Sequence, residues 1–501
     1  MSLKRKFASG AAWNVAGMSF DQLASFVIFV TLSRILSPKE FGLVALASIF
    51  VEIARPLVAR GASDALIQRS EWSDVAASTA FWMNLLLCCV VAVLILAVGA
   101  MFMLGIVGGS ADHYEGLGLI LIVITGALIL DSMTPIPMAK LRRDFANRQI
   151  VFLSAVSTIV TGATGILLAV MGWGIWALVI QRVLWSILTL SLTSVQARWR
   201  PRLVFDRFEG RRIARFMTGL TSSQLLSSLN GEIPGLLVGY GIGPAPLAQF
   251  RAASRILTMV TQFLISPVQQ MSLIAFSQLS DKRAELPRAF ERVTGACAIV
   301  ACPVFMGLGA VAPDLVAVLF GAKWAESAAV LRIGSLIVGV LVINYFLTSA
   351  LASLGKTRNS VLFYAFMVAS NSLFGLLALP WGLIGVVTSQ IFVGYLEIPI
   401  ALTILKRDAG IRPLGVLSRV ITPFACSLGM AAIVILGQIY PLTHWLPLYR
   451  LLVLVPLGCL LYGAFLFVFA RPLVATNVAE LEAIVPQVIW RRLRRLASMS
   501  A

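Results

Sequence analysis

Long apolar segments alternate with short polar breaks along the whole chain. A stretch of about 20 apolar residues is long enough to cross a membrane as one helix. The alternation predicts about fourteen such helices, near residues 10–33, 41–60, 78–104, 116–139, 149–170, 174–195, 213–240, 246–277, 290–312, 327–352, 359–379, 382–405, 416–437 and 448–470. Gly and Pro interrupt helices, and tight turns such as Gly172-Trp173-Gly174 separate several of the segments. The pattern is typical of an all-α polytopic membrane protein.

The composition agrees with this fold class. Hydrophobic residues make up 59% of the 501 residues and charged residues 12%, whereas soluble domains are about 25% charged. A net charge of +18 in a soluble protein would suggest a nucleic-acid partner. In a membrane protein the same bases hold cytoplasmic loops against anionic lipid, so we predict no nucleic-acid partner.

The basic residues lie almost entirely on one side of the predicted helices. Of the 40 Lys and Arg, 31 lie in alternate breaks or at the helix ends beside them, 4 lie in or beside the breaks between them, and 5 lie deeper inside the helices. Basic loops stay on the cytoplasmic side of a membrane. An even number of helices then places both termini in the cytoplasm.

The longest and most basic loop, Gln196 to Arg212, follows the sixth helix. It predicts an N-terminal six-helix lobe at 1–212, a second six-helix lobe at 213–405 and two accessory helices at 406–471. The basic tail at 472–501 has apolar residues beside its arginines, which suits a helix on the inner membrane surface. The outer turns at 36–42 and 243–250 resemble each other, as repeated helix sets in transporters would.

Charged residues inside membrane helices are costly and commonly face a cavity or a partner. Arg251 and Arg255 lie four residues apart on one helix face, and Arg182 lies in the sixth helix; none has an acid within one turn. They indicate an anionic ligand or a distant partner such as Asp21 or Glu232. The planar fork of Arg suits phosphate because it can bind two oxygens at once.

Further polar residues in the helices leave two alternatives open. Arg55 lies three residues after Glu52, so it forms a structural ion pair there or lines a cavity. Asn14 and Gln22 bind sugar hydroxyls in a wet cavity or join helices by hydrogen bonds. Asp21 and Glu232 are candidates for ion coupling.

Other polar positions in the helices have simpler interpretations. Asp131 and Glu397 lie toward inner helix ends, where they can reach water, and Arg332 can reach the outer surface.

The sequence predicts no metal, cofactor or catalytic triad. The six cysteines all fall in apolar segments without metal-ligand spacing, and the two histidines, His113 and His444, lie in outer breaks. No Gly-x-x-x-x-Gly-Lys loop is present, which argues against ATP as the direct energy source.

Four N-terminal segments resemble the opening signature of a known transporter group. They are Gly10-Ala-Ala-Trp13-Asn14, Leu32-Ser-Arg34-Ile-Leu36-Ser-Pro38-Lys-Glu-Phe41-Gly42-Leu43, Gly61-Ala-Ser-Asp-Ala-Leu66-Ile67-Gln68 and Phe81-Trp82-Met-Asn84. The group is the polysaccharide transporters, or oligosaccharide flippases, of the multidrug/oligosaccharidyl-lipid/polysaccharide exporter superfamily, and its colanic-acid exporters in particular. A weaker match covers 235–255.

The resemblance implies two six-helix lobes around a central cavity, plus two extra helices. It implies a flippase of the bacterial inner membrane that moves polyprenyl-diphosphate-linked oligosaccharide outward for exopolysaccharide or lipopolysaccharide synthesis. A polysaccharide polymerase and other assembly proteins are possible partners. Two alternatives remain: a multidrug or cation antiporter of the same superfamily, and a membrane polysaccharide polymerase or ligase. Arginines in the helices disfavour a cationic cargo, and the short outer breaks disfavour an enzyme with an outer catalytic loop.

Overall fold

The computed structural model describes residues 3–59, 61–67, 69, 71–104, 114, 116–279, 285–440, 442 and 444–469. Within them it describes the side chains of all residues except 3–16, 59, 61, 62, 216–222 and 357. The predicted basic tail at 472–501 and His113 lie outside this part of the chain.

Every regular element in the described residues is helical. The α-helices are α1 (Leu3–Ile35), α2 (Pro38–Ala59), α3 (Gly61–Ile67), α4 (Asp74–Met103), α5 (Leu117–Met133), α6 (Pro135–Arg143), α7 (Asn147–Val170), α8 (Ile175–Ala197), α9 (Arg207–Gly241), α10 (Pro244–Leu264), α11 (Ser266–Gln278), α12 (Leu286–Ala310), α13 (Ala312–Leu319), α14 (Ala325–Gly334), α15 (Val338–Ser353), α16 (Thr357–Ala378), α17 (Gly382–Ala409), α18 (Pro413–Ile439) and α19 (Pro447–Phe469). The 3-10 turns are Ala322–Trp324, Ser335–Ile337 and Leu379–Trp381.

The helices confirm the predicted fold class. Eleven candidates among the described residues are long and apolar enough to cross a membrane, or twelve if the bent pair α10 and α11 is one span. One candidate, Arg358–Ala409, has 52 residues, about twice what one crossing needs; it comprises α16 and α17. α9 is 35 residues long but too polar to be counted among the candidates.

Three of the predicted helices are interrupted. The segment predicted at 116–139 divides into α5 and α6 at Thr134, where Pro135 follows. The segment predicted at 246–277 bends by 42° between α10 and α11, near Pro267. A helix commonly ends before a proline because the ring restricts the preceding residue and removes a donor. The segment predicted at 327–352 contains the 3-10 turn Ser335–Ile337.

The chain forms two compact units. The first is built from Met1–Ala252, Leu319–Ser327 and Val361–Gln390, and the second from Ala253–Val318, Ala328–Ser360 and Ile391–Ala501. The predicted lobes were drawn at the long basic loop, which is a criterion of charge and not of packing. Their division at 212, 405 and 471 stays a prediction.

Small residues let the helices of the first unit approach closely. α1 packs against α7, α7 against α8, α4 against α5, and α2 against both α5 and α9. A Cβ atom added at Gly162 in α7 would lie 2.1 Å from Cδ1 of Ile28 in α1. Glycine is enriched at such contacts in membranes because packing, and not water exclusion, holds the helices together.

The second unit is centred on α12. This helix packs against α11, α15, α18 and α19, and α18 packs against α19. The Tyr462 hydroxyl in α19 donates a hydrogen bond to the carbonyl oxygen of Ile299 in α12, at 2.8 Å. The two C-terminal helices are therefore an integral part of this unit.

The turn before α2 is a capping box. Ser37 donates to Glu40 Oε2 through its backbone nitrogen and through its hydroxyl, each at 2.7 Å. Pro38 occupies the first helical position, where its missing N–H is not needed. The next turn brings Gly42 against the start of α10, so the two similar turns lie in contact within the first unit. A Cβ atom at Gly42 would lie 1.8 Å from the carbonyl oxygen of Pro244.

Gly42→Ala is expected to destabilise the protein by about 1–3 kcal/mol, the usual cost of overpacking. The clash is with backbone, which cannot rotate away as a side chain can. The thermal unfolding midpoint of purified protein in detergent would measure the effect. Gly126→Ala is the matched control, because a Cβ at Gly126 in α5 meets no heavy atom within 4 Å. An equal loss in both variants would contradict the close approach.

Candidate functional site

Arg251 of α10 lies against the C-terminal third of α9. Its guanidinium forms an ion pair with the carboxylate of Glu232. Gly235, one turn after Glu232, leaves room for this side chain: a Cβ there would lie 3.0 Å from Arg251 Nη2 and 3.2 Å from Ile49 Cδ1. Both members of the pair are partly buried. The sequence left two explanations open for Arg251, an anionic ligand or a distant acidic partner. The structure shows the distant partner, Glu232.

A second polar contact lies half a turn from Glu232 on α9. The side-chain amide of Asn371 in α16 donates to Asn230 Oδ1, at 3.0 Å. A charged pair and an amide pair thus occupy one short stretch of a membrane helix. Such groups join helices and also provide donors and acceptors for a polar ligand.

Arg182 of α8 has a partner on α5. Its guanidinium forms an ion pair with Asp131 and lies over the Trp185 ring, 5.1 Å from the centroid. Close by, the Asn84 amide donates to the Ser132 carbonyl oxygen at 2.7 Å. Asp131, expected toward a helix end where it can reach water, is partly buried and paired with Arg182.

Arg55 and Arg255 occupy different surroundings. Arg55 pairs with Glu52 at 3.0 Å on one face of α2, and both side chains are substantially exposed. Arg255 is half-buried in α10 and belongs to the second unit, whereas Arg251 belongs to the first. Arg251 and Arg255 therefore belong to different compact units, although they share one face of α10.

The remaining predicted residues lie on α1. Ser154 of α7 donates a hydrogen bond to one carboxylate oxygen of Asp21, while the buried Oδ1 has no partner among the described residues. Gln22 is half-buried. Asn14 lies in α1, and its side chain is outside the described part.

Two sequence interpretations in the second unit were wrong. Glu397 was predicted to reach water but is only 1% exposed, and its Oε1 has no hydrogen-bond partner among the described residues. Arg332 was predicted to reach the outer surface; instead it donates to the Gly309 carbonyl oxygen at 3.3 Å and to Gln438 Oε1 at 3.5 Å.

A buried polar network was missed by the sequence analysis. Asp314, 1% exposed, accepts from Arg450 Nη2 at 2.7 Å and from Gln438 Nε2 at 2.5 Å. Arg332 joins it through Gln438. Asp314 and Arg450 both lie at breaks between apolar segments, and their opposite charges were the one available signal in the sequence. The network ties α13, α14, α18 and α19 together.

The chain matches a known family over more than half its length. Residues 31–329 match the profile of a family described as polysaccharide biosynthesis protein. The succinoglycan biosynthesis transport protein ExoT of Rhizobium meliloti (strain 1021) is 26% identical over 329 residues, which are 66% of this chain and 65% of that protein. The lipopolysaccharide biosynthesis protein WzxC of Escherichia coli (strain K12) is 24% identical over 341 residues, 66% of this chain and 67% of that protein. The match therefore spans about two thirds of the length of these relatives.

Solved structures show the same fold. The lipid II flippase MurJ in an inward closed conformation has a TM-score of 0.73 and 14% identity, over 92% of this chain and 99% of that chain. An inward-facing multidrug resistance MATE family transporter has a TM-score of 0.53 and 16% identity, over 86% of this chain and 96% of that chain. At these identities the likeness concerns the fold alone.

Proposed function

The chain belongs to the polysaccharide biosynthesis protein family, and on this premise we propose that it is a lipid-linked oligosaccharide flippase. It moves polyprenyl-diphosphate-linked repeat units across the bacterial inner membrane for exopolysaccharide or lipopolysaccharide synthesis. The family match over residues 31–329 carries the proposal. Relatives named for succinoglycan transport and lipopolysaccharide biosynthesis support it, as does a fold shared with a lipid II flippase.

The proposal assigns the diphosphate to membrane arginines: Arg182, Arg251, Arg255 and Arg55. Arg182 and Arg251 pair with Asp131 and Glu232. A carboxylate and a phosphate offer the guanidinium fork similar oxygen pairs. The diphosphate replaces the carboxylate on arrival, and the carboxylate takes the arginine back on release. This exchange keeps the arginines from remaining as unpaired buried charges between cycles.

Alternating access moves the cargo, with the sugars in a wet interior and the lipid tail in the bilayer. Two negative charges that move outward across an inside-negative membrane go downhill. At roughly 2.3 kcal/mol per charge per 100 mV, the potential supplies about 4–5 kcal/mol if both charges cross the whole field. The carboxylates freed by the exchange, together with Asp21, are the candidates for ion coupling. Asn14 and Gln22 are the candidates for contact with sugar hydroxyls.

The orientation follows from the charge pattern, and both termini lie in the cytoplasm. The substrate then enters from the side that carries most of the Lys and Arg. A polymerase and other assembly proteins act on the product at the outer face. The protein itself acts as a transporter rather than as an enzyme.

Cells that lack the protein test the proposal against its alternatives. We expect polyprenyl-diphosphate-linked oligosaccharide to accumulate on the cytoplasmic face while surface polysaccharide disappears. Accessibility of the oligosaccharide to a membrane-impermeant glycosidase, in intact and in opened cells, measures its side. Complete repeat units that reach the outer leaflet but stay unpolymerised would instead identify a polymerase or ligase. Unchanged polysaccharide with new sensitivity to cationic drugs would identify an antiporter.

A further inference from the structure

The loop between α8 and α9 carries an exposed surface that the flippase mechanism does not use. We call residues 198–212 the loop patch. Its apolar side chains point outward: Leu203 is 90% exposed, Phe205 56% and Phe208 77%. Beside them stand six exposed arginines, which are Arg198, Arg200, Arg202, Arg207, Arg211 and Arg212.

The loop patch is held in place by α4. The Trp82 indole nitrogen donates to the Arg202 carbonyl oxygen at 2.8 Å. The Arg202 backbone nitrogen donates to Ser78 Oγ at 3.1 Å, and the Asp206 backbone nitrogen donates to Thr79 Oγ1 at 3.1 Å. Because the backbone is fixed on both sides of Leu203 and Phe205, their exposure is a built feature of the loop.

The acidic residues in and beside the loop patch already have partners, and one of them, Asp74, pairs with the patch residue Arg202 at 3.6 Å. Asp206 caps α9, where its side chain accepts from the Phe208 and Glu209 backbone nitrogens at 2.7 and 3.3 Å. Glu209 forms an ion pair with Arg69. The start of a helix disfavours cations, since its free N–H groups carry partial positive charge. Arg207, in the first turn of α9, therefore does not stabilise the start of this helix, and its exposed side chain is open to an external anion.

We propose that the loop patch binds the anionic lipid headgroups of the cytoplasmic leaflet. Leu203, Phe205 and Phe208 enter the boundary between headgroups and acyl chains, and the arginines bind lipid phosphates. This depth fits the backbone, because a non-helical segment cannot enter the hydrocarbon core but can lie at the interface. The charge fits as well, since basic side chains near an anionic surface are each attracted to it. The inference uses the orientation given above and does not depend on the transported substrate.

Lipid preference tests the charged half of the proposal. The full chain is placed in nanodiscs of phosphatidylcholine with and without phosphatidylglycerol, and its thermal unfolding midpoint is measured. We expect phosphatidylglycerol to raise the midpoint, and Arg200→Gln, Arg207→Gln and Arg211→Gln together to abolish most of that rise. The preference of the patch for phosphatidylglycerol over phosphatidylcholine should fall about a hundred-fold in this triple variant, because each lost arginine removes about 1 kcal/mol of attraction.

The matched control removes three exposed basic residues from other inner breaks: Arg358→Gln, Lys406→Gln and Arg412→Gln. It should keep the lipid-dependent rise. Equal losses in both triple variants, or no rise in the wild type, would overturn the proposal, because the anion preference would then be general or absent.

The depth of the Phe208 side chain in the membrane tests the apolar half of the proposal. Cys89 and Cys459 are exposed and the other four cysteines are buried, so a Cys89→Ala and Cys459→Ala background allows a nitroxide label at Phe208→Cys. We expect oxygen to relax this label more than a water-soluble nickel chelate does, with the reverse for a label at Lys406→Cys. A label at Phe208→Cys that the chelate reaches in nanodiscs would overturn the proposal. A label that is shielded from the chelate in cells but not in nanodiscs would also overturn it, because the patch would then be covered by a protein.

Discussion

Arg251→Gln is expected to lower export by about 30-fold or more. Loss of one buried, charged hydrogen-bonding partner costs about 2–5 kcal/mol, and 2 kcal/mol already corresponds to about 30-fold. The change removes the fork that would hold the diphosphate. Surface polysaccharide in deleted cells that carry the variant, relative to protein level, measures the effect. Arg251→Lys should recover little, because an ammonium keeps the charge but not the two-pronged geometry.

The partner residue makes this test decisive. If Arg251 only neutralises Glu232, the double variant Arg251→Gln and Glu232→Gln should restore export, because no unpaired charge remains. If Arg251 binds the diphosphate, the double variant should stay inactive although it folds. The same logic applies to Arg182 and Asp131. Arg407→Gln serves as the control, because it removes a highly exposed arginine of an ion pair with no assigned role, and such a loss costs about 0–1 kcal/mol. Restored export in the Arg251 double variant would refute the assigned role.

Asp314→Ala is expected to lower the free energy of unfolding by about 3–5 kcal/mol. This is the usual cost of removing one partner from a buried ion pair, since the other charge is left uncompensated. Asp314 holds both Arg450 of α19 and Gln438 of α18. The expected result is a lower unfolding midpoint in detergent and less protein in the membrane, with α19 detaching first.

A second substitution separates charge from packing in this network. Asp314→Ala combined with Arg450→Met should recover part of the lost stability, because neither charge is then buried alone. Arg407→Ala is the control, since the Arg407 side chain is highly exposed and its Nε lies 3.5 Å from Asp408 Oδ1. We expect this substitution to change the free energy of unfolding by at most about 1 kcal/mol. If Asp314→Ala costs no more than Arg407→Ala, the network does not hold the C-terminal helices.

Much of the site could be named from the sequence, because charges stand out in apolar helices. Arg182, Arg251 and Glu232 were identified in this way, and all three are paired in the structure. The sequence could not show which of these charged residues contact each other. Arg182 and Asp131 are 51 residues apart in the chain, and no local pattern relates positions on separate helices.

Burial in the second unit shows the same limit. Glu397 lies toward the end of the helix predicted at 382–405, which favoured contact with water, whereas the observed α17 continues to Ala409. Its burial depends on which face of α17 is covered, and a helix that is apolar on every side does not reveal that face. The network around Asp314 was hidden for a related reason: Asp314 follows the helix predicted at 290–312, in a break where a polar residue is expected to meet water, whereas the structure buries it in α13.

The sequence by itself determined the all-helical class, the placement of the membrane helices and the asymmetry of basic residues. These follow from hydropathy and charge, which act over one helix length and need no knowledge of neighbours. Only the tertiary structure decided where helices break, which arginines have carboxylate partners, and that Gly42 lies against Pro244. Those outcomes depend on contacts between distant segments, whose energies exist only once the helices have packed.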